Sequence, residues 1–310
     1  MAITASMVKE LREITGAGMM DCKKALAETD GDMDKAVEFL REKGLATAAK
    51  KAGRIAAEGL VATNVSEDGK VASIVEVNSE TDFVAKNEVF RTFVGNVAEQ
   101  AAATTETEIE AFLAEPWALD TAKTVKEELA SMIAVIGENM NIRRFSKLTA
   151  EDGVIASYIH AGGKIGVLVQ AKTDASKETV EECLKNVAMQ VAALNAKYVS
   201  DKEVDQEYIA HEKEILTAAA KNEKPDANDK IIEGMVMGRI KKELKEICLL
   251  DQVYVKAEDG KQSVGNYVAE FAKANGINLE IVKFVRYETG EGIEKKEENF
   301  AEEVAKQMGM

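Results

Sequence analysis

Apolar residues recur at helical spacing in the first 44 residues and predict three short helices. The first carries Met7, Val8, Leu11 and Ile14 and ends at Gly16, the second runs from about Met20 to Glu28, and the third begins near Asp32 and ends at Gly44. Residues 45–57 are rich in alanine and basic side chains, which predicts a helical connector. Because so short a stretch buries only a small core, we expect residues 1–57 to be a binding module attached to a larger body.

The pattern changes to that of strands after the connector. Residues 59–65 and 71–77 are rich in apolar β-formers, and Asp68-Gly69 lies between them, which is a strong signal for a β-hairpin. Two helical stretches follow, at about 88–103 and 121–137, and a strand is predicted at 141–148. Residues 58–150 therefore read as one unit made of hairpin, helix, helix and strand.

The same order of elements occurs a second time. Residues 153–172 align without a gap onto 59–78, with identical glycines at Gly59/Gly153 and Gly69/Gly163. A helix at 177–195, a helix at 263–274 and a strand at 277–286 complete the second copy. We therefore predict an α+β fold whose core consists of two related halves with antiparallel sheets, residues 58–150 and 151–287.

An insertion interrupts the second copy. Residues 203–250 are almost all helix formers, with Pro225-Asp226 in the middle, and predict two antiparallel helices joined by a short turn. This helical hairpin would either protrude as an arm or fold back on the core. Residues 288–310 are rich in charge and predict a C-terminal helical module.

Composition narrows the classes of function. The formal net charge of −15 argues against direct binding of nucleic acid, which needs a surplus of Lys and Arg. The three cysteines, Cys22, Cys183 and Cys248, have no metal or redox spacing and suit a reducing cytoplasm. The N-terminus does not resemble a signal peptide, and no apolar run is long enough to span a membrane.

No catalytic pattern is found. The two histidines, His160 and His211, have no ligand partners at metal-binding spacing, and no phosphate-binding loop is present. The start of a dinucleotide motif at Gly16-Ala17-Gly18 follows a helix rather than a strand, so this interpretation fails. We therefore predict a protein that is not an enzyme and that needs no metal or other cofactor.

Two long stretches carry a family resemblance. Residues 11–26 (LREITGAGMMDCKKAL) and 76–87 (EVNSETDFVAKN) resemble the two signatures of the elongation factor Ts family. Residues 136–139 (IGEN), the run YIHAGGKIGVLV around His160 and residues 290–295 (GEGIEK) extend the resemblance over nearly the whole chain. It implies a module like the ubiquitin-associated (UBA) domain at the N-terminus, a core of two related α+β halves, a coiled-coil insertion and a C-terminal module.

The resemblance also implies a function: guanine nucleotide exchange on elongation factor Tu during translation elongation. The partner would be the GTPase in its GDP-bound and nucleotide-free forms, and the factor would release GDP by disturbing the Mg²⁺ and phosphate-binding region. A homodimer through the core or the coiled coil is left open. The competing interpretations are an adaptor that binds helical proteins without acting on nucleotide, and an unrecognised acid–base enzyme.

The first group of candidate contacts lies in the N-terminal module. By themselves, Met19 and Met20 suit either a small core or an adaptable docking edge. In the elongation factor Ts family this turn docks on the GTPase domain, and the matching residues are Arg12, Met19, Met20 and Lys23.

The second group follows the first hairpin. From the residues alone, Thr81 or Asp82 would be an N-cap and Phe83 a hydrophobic staple into the core. However, no aromatic stands opposite Phe83 in the second copy, which favours an acquired task. The resemblance implies that Thr81, Asp82, Phe83 and Val84 contact the partner and that Asp82 and Phe83 act as a wedge beside its Mg²⁺ site.

The remaining candidates are more scattered. His160 ends a strand, where it would ordinarily be a half-exposed strand residue; the resemblance implies contact with the GTPase on the side that leads to its phosphate loop. Ile136, Gly137 and Lys185 match further family contacts. The chain departs from the family pattern around residues 252–256 and in the helical arm, and the basic connector at 50–54 reads as solvated lysines.

Overall fold

The computed structural model describes residues 3–294 and shows an α+β fold with small antiparallel sheets. Its α-helices are α1 (Ala5–Thr15), α2 (Met19–Glu28), α3 (Met33–Lys51), α4 (Asp82–Ala85), α5 (Glu88–Ala103), α6 (Ile109–Ala114), α7 (Val125–Ile136), α8 (Lys177–Leu194), α9 (Gln206–Glu223), α10 (Asp229–Ile247) and α11 (Val264–Asn275). Its strands are β1 (Glu58–Val65), β2 (Val71–Ser79), β3 (Pro116–Trp117), β4 (Asp120–Thr124), β5 (Met140–Thr149), β6 (Gly153–His160), β7 (Ile165–Thr173) and β8 (Leu279–Glu288).

The last helix of the N-terminal module extends beyond the core of that module. Helices α1 to α3 enclose a core that includes Leu11, Cys22 and Leu26. The prediction that the third helix ends at Gly44 is wrong, because α3 continues through the connector to Lys51. Gly44 packs on α7, where a β-carbon would lie 3.6 Å from the Ala130 carbonyl oxygen. The glycine therefore serves close packing of two helices rather than helix termination.

The first half consists of a sheet with its outer face covered by helices. Its strand order is β1-β2-β5, and helices α5 and α7 cover one face. The helix predicted at 121–137 begins late, because residues 120–124 form β4 and pair with β3. Thr124 and Glu127 form a reciprocal capping box that sets the start of α7. The short helix α6 was not predicted.

The repeat is confirmed by the register of the strands. Gly59 lies opposite Asn78 in the first hairpin, and Gly153 lies opposite Lys172 in the second, as the ungapped alignment requires. Irregularities in the pairing also coincide: they fall at residues 76/77 in the first sheet and at 170/171 in the second. Strand order β6-β7-β8 therefore reproduces β1-β2-β5.

The two sheets pack face to face around a separate core. It contains Val61, Ile74 and Leu148 from the first half and Ile155 and Leu168 from the second. Reciprocal hydrogen bonds join the halves: Val61 N donates to the Gly163 oxygen at 2.7 Å, and Ile155 N donates to the Gly69 oxygen at 2.8 Å. The halves thus interlock about an approximate two-fold axis, each hairpin turn contacting the other half.

The insertion forms the predicted pair of antiparallel helices, α9 and α10. They meet through Ala220, Ile232, Val236 and Ile240, and their main further contact is at the base, with residues 249–251. Ile215 and Ile231 on the outer sides are about half exposed. This packing is that of a projecting arm rather than of helices laid over the sheets.

The C-terminal segment departs from the prediction where it is described. Residues 289–292 form turns and residues 293–294 have no regular structure, instead of the predicted helix, and Gly290 and Gly292 both have a φ of 74°. At Gly290 a β-carbon would meet the Ala57 carbonyl oxygen at 2.1 Å, so this turn needs glycine. The rest of the predicted C-terminal module, residues 295–310, lies outside the described residues.

Candidate functional site

The turn between α1 and α2 presents apolar side chains to solvent. Helix α1 ends at Gly16, whose φ of 66° only glycine adopts freely, and α2 uses Cys22 and Leu26 for the core. Met19 and Met20 on the first turn of α2 are 57% and 74% exposed. The interpretation of this pair as core residues is therefore wrong. Exposed Arg12 and Lys23 lie on the same two helices.

Phe83 is exposed to a similar degree. Its side chain is 78% accessible at the start of the short helix α4, so the interpretation as a staple into the core is wrong. Thr81 is the N-cap: its hydroxyl accepts a hydrogen bond from Val84 N at 3.4 Å. Val84 is buried and anchors the segment in the first core, which leaves Phe83 as the part of it available to a partner.

A surface ion pair lies beside Phe83. Lys86 Nζ donates to Asp82 Oδ2 at 2.7 Å and lies 5.8 Å from the centre of the Phe83 ring. The hydrogen bond from Lys86 is the main reason that the pKa of Asp82 lies below its ordinary value. Asp82 thus remains a carboxylate beside an exposed aromatic ring.

The loop that carries Phe83 is held by the IGEN segment. Glu138 accepts hydrogen bonds from Thr81 N at 3.0 Å and from Thr81 Oγ1 at 2.7 Å. In return, Glu80 Oε1 accepts a hydrogen bond from Asn139 N at 2.5 Å. Two stretches that lie almost 60 residues apart in the chain are therefore cross-linked by reciprocal hydrogen bonds to each other's backbone.

The IGEN segment is also hydrogen-bonded to the end of the N-terminal module. Asn139 Nδ2 donates to the Arg54 carbonyl oxygen at 2.7 Å, and Lys51 Nζ donates to the Gly137 carbonyl oxygen at 2.6 Å. Gly137 caps α7 with a φ of 87°. The basic connector, predicted to be solvated, therefore partly contacts the support of Phe83.

His160 lies at the exposed end of β6, with its Nδ1 3.0 Å from the Tyr158 hydroxyl. Its carbonyl oxygen accepts hydrogen bonds from the Gly163 and Lys164 amides, both at 3.1 Å, which closes the turn. The positive charge of Lys164 contributes to the low pKa of Asp82, after the larger effect of Lys86. Lys164 also pairs with Glu58, which lies opposite Ser79 in the β1–β2 hairpin, so the His160 turn lies beside the end of the strand that leads to Phe83.

The internal symmetry supports this placement. Lys177 stands 94 residues after Phe83, the offset that relates the two halves. Its Nζ donates to the carbonyl oxygens of Ser66 and Glu67 in the first hairpin turn, at 3.0 and 3.1 Å. The equivalent turn in the second half is the one that follows His160. At one of the two symmetry-related positions, Lys177 contacts the hairpin turn of the other half, whereas at the other position Phe83 is exposed to solvent.

The turn between α1 and α2, residues 16–20, is called the methionine turn here and lies beside the C-terminal end of α7. A β-carbon on Gly16 would lie 3.9 Å from Val135, the neighbour of Ile136 and Gly137. Asp21 on α2 pairs with Lys43 on α3. Lys51, whose side chain donates to the Gly137 carbonyl oxygen, lies about 12 Å from Lys43 along the axis of α3, at a rise of about 1.5 Å per residue. We define the candidate face as six residues on the segments that these contacts join: Met19, Met20, Gly137, Asp82, Phe83 and His160.

Two predicted contacts, Lys185 and Ile136, are not included in this face. Lys185 is on α8, which packs on the second sheet, and it pairs with Glu181 at 2.9 Å. Ile136 is half buried against the first core. Sequence reasoning did not select Glu138, which directly follows Gly137, or Lys164, which lies four residues after His160. A charged side chain directly after a capping glycine was the available signal for Glu138.

The described part of the chain offers no site for metal or thiol chemistry. Within residues 3–294, no three His, Cys, Asp or Glu side chains converge as metal ligands. The three cysteines are buried free thiols, and burial raises the pKa of Cys183 to about 11. Among the same residues, no helix has both the length and the apolar character needed to cross a membrane.

Comparison with known proteins establishes the family. The family model described as Elongation factor TS matches residues 80–291, more than half of the chain. The chain belongs to the elongation factor Ts family. Proteins named Elongation factor Ts from Clostridioides difficile (strain 630) and Clostridium perfringens (strain 13 / Type A) are 59% and 58% identical to it, over 306 and 308 residues and 99% of each chain. A further one from Clostridium novyi (strain NT) is 56% identical over 307 residues.

Family membership confirms the predicted resemblance. It implies the role of an elongation factor in protein biosynthesis, as a guanine nucleotide exchange factor for elongation factor Tu. Such a factor does not catalyse a chemical reaction on a substrate.

Proposed function

We propose that this chain accelerates GDP release from elongation factor Tu by inserting Phe83 into an apolar site of the GTPase, beside its Mg²⁺ and phosphate-binding region. The observation that carries this proposal is the exposure of a large aromatic ring on a loop held by several hydrogen bonds. Exposing Phe83 in the free protein costs free energy that burial in a partner would recover. A loop that is already fixed also loses little conformational entropy on binding.

The energetic principle is linkage. A protein that binds the nucleotide-free GTPase more tightly than the GDP form must weaken GDP binding by the same factor. Mg²⁺ bridges nucleotide phosphates and protein ligands, so displacement of the elements that hold the metal weakens both. Asp82, kept ionised by Lys86, would add a negative charge next to that site. GTP then binds by mass action, and the factor is released unchanged.

The other parts of the candidate face supply affinity and alignment. Met19 and Met20 form an adaptable apolar edge, with Arg12 and Lys23 on the same helices. His160 approaches the phosphate-loop side of the GTPase. Nucleotide exchange takes place in the cytoplasm and needs no cofactor of the factor's own. Phe83 should therefore govern the rate of nucleotide release, whereas Met20 should govern the affinity between the two proteins.

The test is stopped-flow release of a fluorescent GDP analogue from elongation factor Tu at increasing concentrations of factor. We expect Phe83→Ala to lower the limiting rate about 10- to 100-fold, the range for losing a buried aromatic anchor. Met20→Ser should raise the half-saturating concentration and leave the limiting rate nearly unchanged. Val282→Ala is the matched control, because Val282 is also exposed but lies at the far end of the second sheet from His160.

Each alternative gives a different result. If Phe83→Ala retains the full limiting rate, the proposed insertion of Phe83 is wrong, even though the chain is an exchange factor. If the unmodified chain binds the GTPase without accelerating release, the adaptor interpretation replaces exchange.

A further inference from the structure

A buried carboxylate lies at the junction of the two halves. Glu76 on β2 is completely inaccessible to solvent, yet it is charged. Its oxygens accept hydrogen bonds from Asn78 Nδ2 at 3.0 Å, Arg143 Nη1 at 3.1 Å, Arg144 Nε at 2.5 Å and the Gly290 amide at 2.8 Å. Burial alone would raise the pKa of Glu76, but the hydrogen bonds from Gly290, Asn78 and Arg144 outweigh it and hold the pKa below its ordinary value.

One of these partners leads towards the candidate face. The amide of Gly290 is fixed by Glu76, and the preceding residue, Thr289, is buried. Thr289 N donates to the Lys164 carbonyl oxygen at 2.9 Å, and Thr289 Oγ1 donates to the Gly163 carbonyl oxygen at 3.1 Å. A single turn at residues 289–290 therefore joins a side chain of the first half to the His160 turn of the second half.

The last step reaches the surface. The amides of Gly163 and Lys164 both donate to the His160 carbonyl oxygen. The side chain of Lys164 pairs with Glu58 at the start of β1, and its charge acts on Asp82. Hydrogen bonds thus run from the buried carboxylate to the His160 turn, and the pair between Lys164 and Glu58 joins that turn to the hairpin that leads into the Phe83 segment.

We propose that Glu76 and Thr289 are positioning residues for nucleotide exchange: together they fix the His160 turn relative to the Phe83 segment. This proposal rests on the exchange function proposed above and adds residues to it that cannot touch the partner. The His160 turn and the Phe83 segment can contact the GTPase at the same time only if the distance between them is fixed before binding. A rigid spacer is needed because the factor must strain the nucleotide site at two points. The 289–290 turn is that spacer.

A purely structural role makes a different prediction. If the cluster only stabilised the fold, its loss would lower thermal stability and change exchange no more than any equally destabilising substitution. A positioning role should lower the limiting rate of GDP release and leave the half-saturating concentration nearly unchanged, since the methionine turn is not involved.

The experiment uses the full chain in the stopped-flow assay described above. Thr289→Val keeps the side-chain shape and the backbone hydrogen bond but removes the hydroxyl that reaches Gly163. We expect a fall of about fivefold in the limiting rate, the effect of one buried hydrogen bond. Thr289→Ser restores the hydroxyl and should restore the rate. Glu76→Gln should reduce the rate at least as much as Thr289→Val.

Tyr287→Phe is the matched control. It removes a hydrogen bond of 2.7 Å to Ser146 in the same interface but has no part in the connection to Gly163. If Thr289→Val keeps the full rate while the unmodified chain accelerates release, the positioning role is wrong and the exchange function stands. If Tyr287→Phe lowers the limiting rate equally, general loosening replaces positioning. Absence of acceleration by the unmodified chain overturns both proposals. Should Glu76→Gln fail to fold, the three Thr289 and Tyr287 variants decide.

Discussion

Replacing Glu138 by alanine should release the Phe83 loop without unfolding the protein. The substitution removes two hydrogen bonds from Thr81 to a carboxylate, of 3.0 and 2.7 Å. A hydrogen bond to a charged group contributes about 1.5–3 kcal/mol when buried, and Glu138 is only half buried. We therefore expect a total loss of about 2 kcal/mol, which would open residues 80–87 about 30 times more often.

Hydrogen–deuterium exchange measures this opening directly. In the Glu138→Ala variant, amides of residues 80–87 should exchange about 30-fold faster, while those in the β1–β2 hairpin should not change. The limiting rate of GDP release should also fall, because Phe83 would have to be ordered on binding. Glu128→Ala is the control: Glu128 lies on α7 and pairs with Lys123 at 3.0 Å, away from Thr81. A change of less than threefold at residues 80–87 would refute the idea that Glu138 holds this loop.

Two further predictions concern stability. The pKa of Glu76 in the folded protein lies below its ordinary value of 4.5, so its charge stabilises the fold above pH 4.5. This contribution is lost as the pH falls through the folded pKa. Urea unfolding should therefore show stability falling more steeply below pH 4.5 in the unmodified chain than in Glu76→Gln, and parallel curves would contradict this. Gly163→Ala would place a β-carbon 2.6 Å from Leu60 at a φ of 106° and should cost about 2–4 kcal/mol in the same assay, whereas Gly162→Ala, also at positive φ but with open space around it, should cost only about 1–2 kcal/mol.

Local patterns were sufficient to predict the hairpins and the repeat. The turn Asp68-Gly69 and the matching glycines Gly59 and Gly153 depend on backbone conformations that few other residues allow, so the sequence shows them directly. Gly44 was misleading for the same reason, because a glycine that permits close packing of helices looks like one that ends a helix. Only the partner helix α7 distinguishes the two roles.

The candidate face depended on information that periodicity does not contain. An apolar residue beside an N-cap usually enters the core, yet Phe83 points to solvent because the neighbouring Val84 fills that place. The supports of the face come from distant parts of the chain: Glu138 from the loop after α7 and Thr289 from beyond the helical arm. Such contacts form only when the whole chain is folded. The family resemblance therefore indicated the candidate face, but the residues that support it could not be predicted from the sequence.

The core shared by the two sheets has a consequence for synthesis on the ribosome. The inner side of the first half, including Val61, Ile74 and Leu148, stays open until the second half supplies Ile155 and Leu168. Tyr287 completes this core and is made 139 residues after Leu148 (287 − 148), which takes about 7–28 s at about 5–20 residues per second. The nascent first half thus carries an uncovered apolar surface during this interval and would be a substrate for chaperones. A factor that serves translation therefore completes its own fold only after translation has run well past its first half.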